Sequence, residues 1–347
     1  MAYTTIDKPT DYFETVTYAG GTTDISSLDF QPDWVWGKKR DGAENHGIFD
    51  SVRGATKTIN SNTTAAESTR SGSLTSFDND GFTMGGSDGI ISNSGSTYVA
   101  WCWRAGTSFT NDASSTGVGS IDSTGSFNND AGFSIVSYTG TGSAGTIKHG
   151  LNSTPSWILV KNRIDGSIYW YNYLKVLGNN TELYLNGQDA APNSTGAWNT
   201  TSPTSSVFSV GSHGGTNASG EATIAYCFAE KQGYSKFGSY AANESVDGTF
   251  VYTGFKPAFV ILKQSNLARD WHMFDNKRST FNAVGRYLRP NVSGAEDSGE
   301  DYLDLLSNGF KLKNTGNRFN DADGTYIFMA FAESPFVTST GIPTTAR

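Results

Sequence analysis

Three stretches of this chain are versions of one another. From Tyr98 it reads YVAWCWRAG, from Thr223 TIAYCFAEK and from Tyr326 YIFMAFAES. In register, Trp101, Tyr226 and Met329 share one place, Cys102, Cys227 and Ala330 the next, and Trp103, Phe228 and Phe331 the one after. Each is a short, almost unbroken apolar run rich in aromatics, which is how a strand covered on both faces reads. Periodicity alone does not separate such a run from a buried helical turn, so composition arbitrates. Charged residues are 17% of the chain, aromatics 13%, and there are 40 Gly; that profile fits many short strands joined by polar turns. The 347 residues leave ample chain for two or three domains with sizeable cores.

Other elements recur at a spacing of about 115 residues, the signature of an internal repeat. A first strand is expected around Tyr18 (TVTYAGG), with counterparts around Tyr138 (SIVSYTGTG) and Tyr252 (TFVYTGF). A Pro followed by an apolar strand ending in Lys comes next: Pro32 to Lys38, Pro155 to Lys161 and Pro257 to Lys263. Pro at a strand start is tolerated because no ladder donor is needed there. In the pleat Trp34, Trp36 and Lys38 share a face, as do Trp157, Leu159 and Lys161. An aromatic–Asx–x–x–base corner follows, at Phe49-Asp50 with Arg53, Tyr171-Asn172 with Lys175, and Phe274-Asp275 with Arg278. Asp80-Gly81-Phe82 and Asn308-Gly309-Phe310 then signal hairpins, with a weaker match near Phe208.

The fold class expected is all-β: three tandem homologous antiparallel β-sandwich repeats of jelly-roll-like type. The boundaries are a first repeat over 1–110, a linker over 111–131, a second repeat over 132–240, a third over 241–337 and a C-terminal extension over 338–347. The linker assignment rests on a stretch, Thr107 to Ala131, with almost no apolar periodicity. Gly233 to Gly248 reads as the join between the second and third repeats.

Cys102 and Cys227 fill one slot that takes Ala330 in the third run, so the slot wants a small apolar side chain. Equivalent sites in separate units are too far apart to bridge, and both cysteines are expected reduced. That fits a reducing cytoplasm. A net charge of −8 argues against a nucleic-acid binder. No apolar run approaches the roughly 18 residues of a membrane span. The N-terminal MAYTTIDKPTDYFET lacks the basic and apolar regions of a secretory leader.

The phrases GFSIVSYTGTG…GLNSTPSWILVKNR, AYCFAEKQGYSKFGSY, FVYTGFKPAFVILK and SNGFKLKN…YIFMAFAESPF, spanning about Gly132 to Phe336, resemble a family of repeat-bearing, virion-associated proteins of tailed bacteriophages, particularly marine ones. The resemblance implies a non-enzymatic, surface-exposed structural part of a phage particle: tail fibre, tail-tip or knob, or head decoration. It implies assembly in the host bacterial cytoplasm, residence in the virion, other virion proteins as partners, and a homo-oligomer or multi-copy assembly. The alternative is a host-receptor adhesin that binds a cell-surface glycan.

No catalytic constellation is expected. His46, His149, His213 and His272 show no metal-ligand spacing, and there is neither a GxSxG elbow nor a P-loop. No cofactor is implied. Asp78-Asn79-Asp80-Gly81 and Asp321-Ala322-Asp323-Gly324 alternate oxygen ligands before a Gly, a weak structural-calcium signal that lacks the distant Glu of an EF-hand. Lys38, Lys161 and Lys263 read as structural, their stems on apolar surface and their charges in water or against Asp. For a partner or glycan contact, Trp198 is the first candidate, an aromatic in a polar loop with no counterpart in the other repeats; Tyr169 and Tyr173 come second. Trp170 matches Trp271 and is expected to pack.

Overall fold

The computed structural model describes residues 4–194, 196–316 and 318–336; the expected extension over 338–347 lies outside them. Among the described residues helix is confined to two four-residue pieces, Ala113–Thr116 and Gly214–Asn217, and one 3-10 turn, Pro9–Asp11. The protein is all-β, with several antiparallel sheets.

Twelve strands make its frame. They are β1 (Phe13–Ala19), β2 (Trp34–Lys39), β3 (Gly47–Asp50), β4 (Thr97–Trp103), β5 (Phe133–Thr139), β6 (Trp157–Asn162), β7 (Tyr171–Leu174), β8 (Ala222–Phe228), β9 (Ser235–Ala241), β10 (Phe255–Gln264), β11 (Trp271–Asp275) and β12 (Thr325–Pro335). Three large sheets carry them in the orders β1-β4-β2-β3, β5-β8-β6-β7 and β9-β12-β10-β11. The registers correspond: Trp34 pairs with Trp103, Trp157 with Phe228 and Phe259 with Phe331. Each aromatic run named at the outset is therefore an inner strand of its sheet, paired on both sides.

Each large sheet also has a smaller companion. Asp24–Ile25 joins Gly81–Met84 and Leu74–Asp78; Gly145–Lys148 joins Val207–Val210; Phe250–Tyr252 begins a four-stranded sheet with Gly309–Leu312, Asp297–Leu306 and Val284–Tyr287. Between the first large sheet and its companion lies a core holding Val35, Phe49, Cys102, Ile25 and Phe82. The second holds Ile158, Tyr173, Cys227, Ile147 and Phe208, and the third Val260, Phe274, Ala330, Val251 and Phe310. The opposite faces of all three large sheets meet in one further core. Trp34, Trp36, Trp101 and Trp103 meet Phe133, Trp157, Tyr226 and Phe228 there, together with Phe259, Ile261, Met329 and Phe331. Alternate residues of every central strand thus enter two different cores, which is why those strands read as continuous apolar runs.

Some boundaries differ from expectation. The segment 111–131 is not a linker: Thr107–Asn111 and Ser123–Asn128 pair with each other and add to the second large sheet beside β5. Their Ser, Thr and Gly content reflects an edge hairpin with only part of its side chains buried. The stretch expected to join the second and third repeats is β9, which pairs with β12 from Ser235↔Phe331 to Ala241↔Thr325. Tyr240, not Tyr252, stands where Tyr18 and Tyr138 stand, each near the same end of the first strand. Tyr252 lies in the companion sheet instead. The string Tyr-Thr-Gly after Tyr252 imitates that after Tyr138, but register follows the buried alternation of a strand rather than local identity.

Both hairpins form, one residue earlier than the Asp-Gly and Asn-Gly pairs suggest: Asp78 pairs with Gly81 and Leu306 with Gly309. These glycines open the return strands. A Cβ on Gly81 would stand 1.6 Å from the Ile25 carbonyl oxygen, and one on Gly309 2.1 Å from that of Val251. Close approach of the companion strand, not a turn dihedral, demands Gly there. Pro32 and Pro155 precede β2 and β6, whereas Pro257 sits inside β10 at a register shift, a place where a missing ladder donor is tolerated.

Cys102 and Cys227 are free and fully buried, and burial pushes the Cys102 thiol well up. A thiol-reactive disulfide reagent is expected to titrate neither in the native protein and both in concentrated guanidinium. Rapid native labelling of either would show that the two-sided burial of the central strands is wrong.

Candidate functional site

The chemistry-bearing side chains gather where the three large sheets meet. The corner after β3 closes on itself as expected. Arg53 donates from its backbone N–H to Asp50 Oδ1 (2.8 Å) and from Nε to Asp50 Oδ2, both side chains fully buried. Tyr226, from the second sheet, donates its hydroxyl to the same Oδ2 at 2.6 Å. Arg53 Nη1 reaches Glu67 (3.2 Å), and Glu67 receives a bidentate pair from Arg163 of the second sheet, at 2.9 and 2.9 Å. The Glu67 backbone N–H also donates to the Arg163 carbonyl.

The same chain of contacts joins the first sheet to the third. Arg278 Nε meets Asp275 Oδ2 at 2.6 Å, and Trp101 Nε1 donates to that oxygen at 3.0 Å. Arg278 Nη1 reaches Glu296 at 3.2 Å; Arg40 clamps Glu296 at 3.0 and 3.0 Å, and the Glu296 N–H donates to the Arg40 carbonyl. The Arg278 guanidinium lies 5.4 Å over the Trp101 ring, a favourable cation–π contact.

Between the third and second sheets the backbone bridge persists, Ala191 N–H to the Ser265 carbonyl, but the charges do not. Register places Leu174, not Asn172, opposite Trp157, where Asp50 and Asp275 face Trp34 and Phe259. Leu177 therefore stands for the arginine, Ala191 for the glutamate, Ser265 for the clamping arginine and Met329 for the hydroxyl or indole donor. All five members are replaced together. Asn172, expected at the corner, instead accepts from Trp157 Nε1 (3.0 Å) and donates to the Leu183 carbonyl.

A second set of contacts runs the same way around. The backbone N–H groups of His46, Trp170 and Trp271 donate to Asn62, Asn186 and Asn291 side chains at 3.0, 2.8 and 3.1 Å. Trp170 Nε1 then donates to the Asn60 carbonyl of the first sheet's region and Trp271 Nε1 to the Tyr184 carbonyl of the second's. Trp170 packs, as its match to Trp271 suggests. The lysines that end β2, β6 and β10 are fully buried, not spread into water. Lys38 Nζ donates to the Lys39 and Gly42 carbonyls, Lys161 to Thr64 and Ile168, and Lys263 to Gln264 and Leu267. Burial pushes each of the three down to about 8.

The candidate contact residues are placed differently from expectation. Trp198 is 1% exposed and sits edge-on to Tyr173, itself 3% exposed; both belong to the second sandwich core. The companion sheet there has only two strands, and Trp198 fills the space. Tyr169 is 43% exposed and leans on Tyr184. The two acidic strings are tight turns: Asp78 accepts from Thr83 Oγ1, and Asp321 O accepts from the Gly324 N–H. Among the described residues no group of three or more His, Cys, Asp or Glu is arranged to hold a metal ion. Three histidines are buried: His46 receives the Trp36 indole N–H, His149 the Leu151 N–H, and His272 lies against Tyr287 and Phe319. His213 caps the helix Gly214–Asn217. No helix among the described residues is long and apolar enough to cross a membrane.

A family model described as a domain of unknown function, DUF7483, matches residues 8–335. The chain belongs to that family. The matched span takes in all three large sheets and every junction residue named above, so the family is defined by the whole assembly rather than by one sandwich. No curated protein and no solved structure matches the chain.

Two predictions come from the junctions. Removing one buried partner, as in Arg278→Met, leaves the fully buried Asp275 without its counter-charge and is expected to cost about 3–5 kcal/mol in urea unfolding. The combined change Asp50→Leu, Arg53→Leu, Glu67→Ala, Arg163→Ser and Tyr226→Met copies the uncharged junction and is expected to be neutral or stabilising. A five-residue variant less stable than Arg53→Met alone would overturn the correspondence. The second concerns pH. Burial alone would push Glu67 and Glu296 up; Arg163 and Arg53 around the first, and Arg40, Arg278 and Arg286 around the second, outweigh it and hold both below the usual range. The folded state then binds fewer protons than the unfolded one, so this stability is present above the ordinary glutamate range, near pH 4.5, and is lost as pH falls through the folded values. Urea midpoints between neutral and acid pH check this, and Glu67→Gln with Glu296→Gln is expected to flatten the acid limb.

Proposed function

We propose that this chain is a non-enzymatic structural component of a tailed-bacteriophage particle, exposed on its surface as a tail fibre, tail-tip or knob, or head decoration. Three tandem copies of one antiparallel β-sandwich, closed into a ring by their large sheets, make up the block. The observation that carries this reading is the cyclic order of the junctions: first sheet to second through Glu67 and Arg163, second to third through Ala191 and Ser265, third to first through Glu296 and Arg40. A ring that closes within one chain presents three related outer faces, which suits a site of threefold character or a multi-copy lattice. The phage resemblance of the segment from Gly132 to Phe336 supplies the particle, with other virion proteins as partners and assembly in the host bacterial cytoplasm.

Chemistry argues in the same direction. The buried carboxylates pair with arginines between sheets, and His46, His149 and His213 accept indole or backbone N–H groups, which is how titratable groups are used in a scaffold. The rival reading, an adhesin for a host-surface glycan, loses two of its three candidate contacts to the core, since Trp198 and Tyr173 are covered. Mass spectrometry of gradient-purified particles, with immunogold labelling of the intact particle, tests the proposal. The chain is expected in stoichiometric amounts with surface label; its absence from infectious particles would end the structural reading.

A further inference from the structure

The uncharged junction opens onto a cleft of about 350 Å³, lined by Gln188, Ala268, Arg269, Asp270, His272 and Arg318. It lies between the second and third sheets, where the Arg269 N–H donates to the Gln188 carbonyl at 2.8 Å. At the other two junctions an arginine–glutamate clamp ties the sheets; here Ser265 and Ala191 take those places.

The cleft is polar and its polar groups are unevenly satisfied. Asp270 is saturated: Oδ1 receives Gln188 Nε2 (2.6 Å) and Asn291 Nδ2 (2.7 Å), and Oδ2 receives Arg289 (3.0 Å). His272, 2% exposed, has no hydrogen-bond partner at Nδ1. Burial pushes its pKa down to about 3, so the ring is neutral and offers one donor and one acceptor. Buried polar atoms are normally paired, so the unpaired Nδ1 of His272, a residue that lines the cleft, marks a place for an occupant. Arg269 and Arg318 flank that cleft. Arg269 lies 3.6 Å from Asp321; Arg318 donates to the Tyr287 hydroxyl and lies 3.7 Å from Asp297, with 55% of its side chain exposed. With Asp270 already satisfied, the half-exposed guanidinium of Arg318 is the charge that the cleft offers a ligand.

We propose that this cleft binds a carboxylate, carried by a free organic acid or by an acidic sugar. The guanidinium of Arg318 takes the charge in a planar, bidentate fashion, the His272 ring and the Gln188 amide fix its orientation, and the inter-sheet bridge keeps the walls in place. The inference is independent of whether the chain is part of a particle.

Isothermal titration of the full chain with acetate, glucuronate and glucose tests it. Both acids are expected to bind and glucose not; the stronger acid identifies whether a simple carboxylate or a sugar acid fits the volume. Arg318→Ala is expected to weaken binding about ten- to a hundredfold, the loss of its charge-assisted bidentate pair. Ala268→Trp, which fills the mouth from an exposed position, is expected to abolish it with an unchanged thermal midpoint. Glucose binding as well as glucuronate, no heat with either acid, or wild-type affinity in both variants would overturn the assignment.

Discussion

Everything in this structure depends on large sheets that bury both faces. An ordinary antiparallel sheet keeps one face for water and alternates accordingly. Here Val35, Cys102 and Phe49 enter one core while Trp34, Trp36, Trp101 and Trp103 enter another. The inward set includes five tryptophans that line a single small space, Trp34, Trp36, Trp103, Trp157 and Trp271. Each large aromatic removes 150–250 Å² from water, so the central core makes the three large sheets mutually dependent. None of them keeps a buried inner face without the other two.

That dependence explains the polar chemistry. Where backbones of separate sheets converge, unpaired N–H and C=O groups would be costly. The buried lysines meet this by capping carbonyls, and the Asn62, Asn186 and Asn291 side chains by accepting N–H groups. The charged networks add register. An Asp that must accept from its own arginine and from a donor on the adjoining sheet specifies one docking of the sheets, whereas apolar contacts tolerate sliding.

Much of this was legible. The aromatic runs, the small-residue slot at Cys102, Cys227 and Ala330, the common face of Trp34 and Trp36 and the Asp50–Arg53 and Asp275–Arg278 corners all follow from spacing that the fold preserves locally. Two misplacements, at Tyr252 and Asn172, share one cause: short strings look alike where only register matters. Tyr252 resembles Tyr138 over three residues, yet Tyr240 occupies its place. Asn172 resembles Asp50 by its aromatic neighbour, yet Leu174 occupies its place, two residues on. The hairpin over Thr107–Asn128 lacked apolar alternation because it is an edge with few buried side chains. Trp198 looked exposed because its neighbours are polar, but a lone tryptophan in a polar loop is often the anchor that holds that loop down. The cleft beside the uncharged junction leaves no mark in the sequence, because Gln188, Arg269, Asp270, His272 and Arg318 come from strands and loops of two different sheets.

The uncharged junction is the most informative departure from uniformity. Losing any one member of a buried five-residue network is strongly destabilising, while exchanging all of them for apolar side chains is close to neutral. Intermediate states are therefore the costly ones, and a junction is expected to be found fully charged or fully apolar. Two junctions are the first kind and one the second, with Leu174, Leu177, Ala191, Ser265 and Met329 changed as a set. The two charged junctions, first sheet to second and first to third, already fix where the second and third sheets lie relative to each other. The third junction needs no charged clamp, and it is near that junction that the cleft lined by His272 lies.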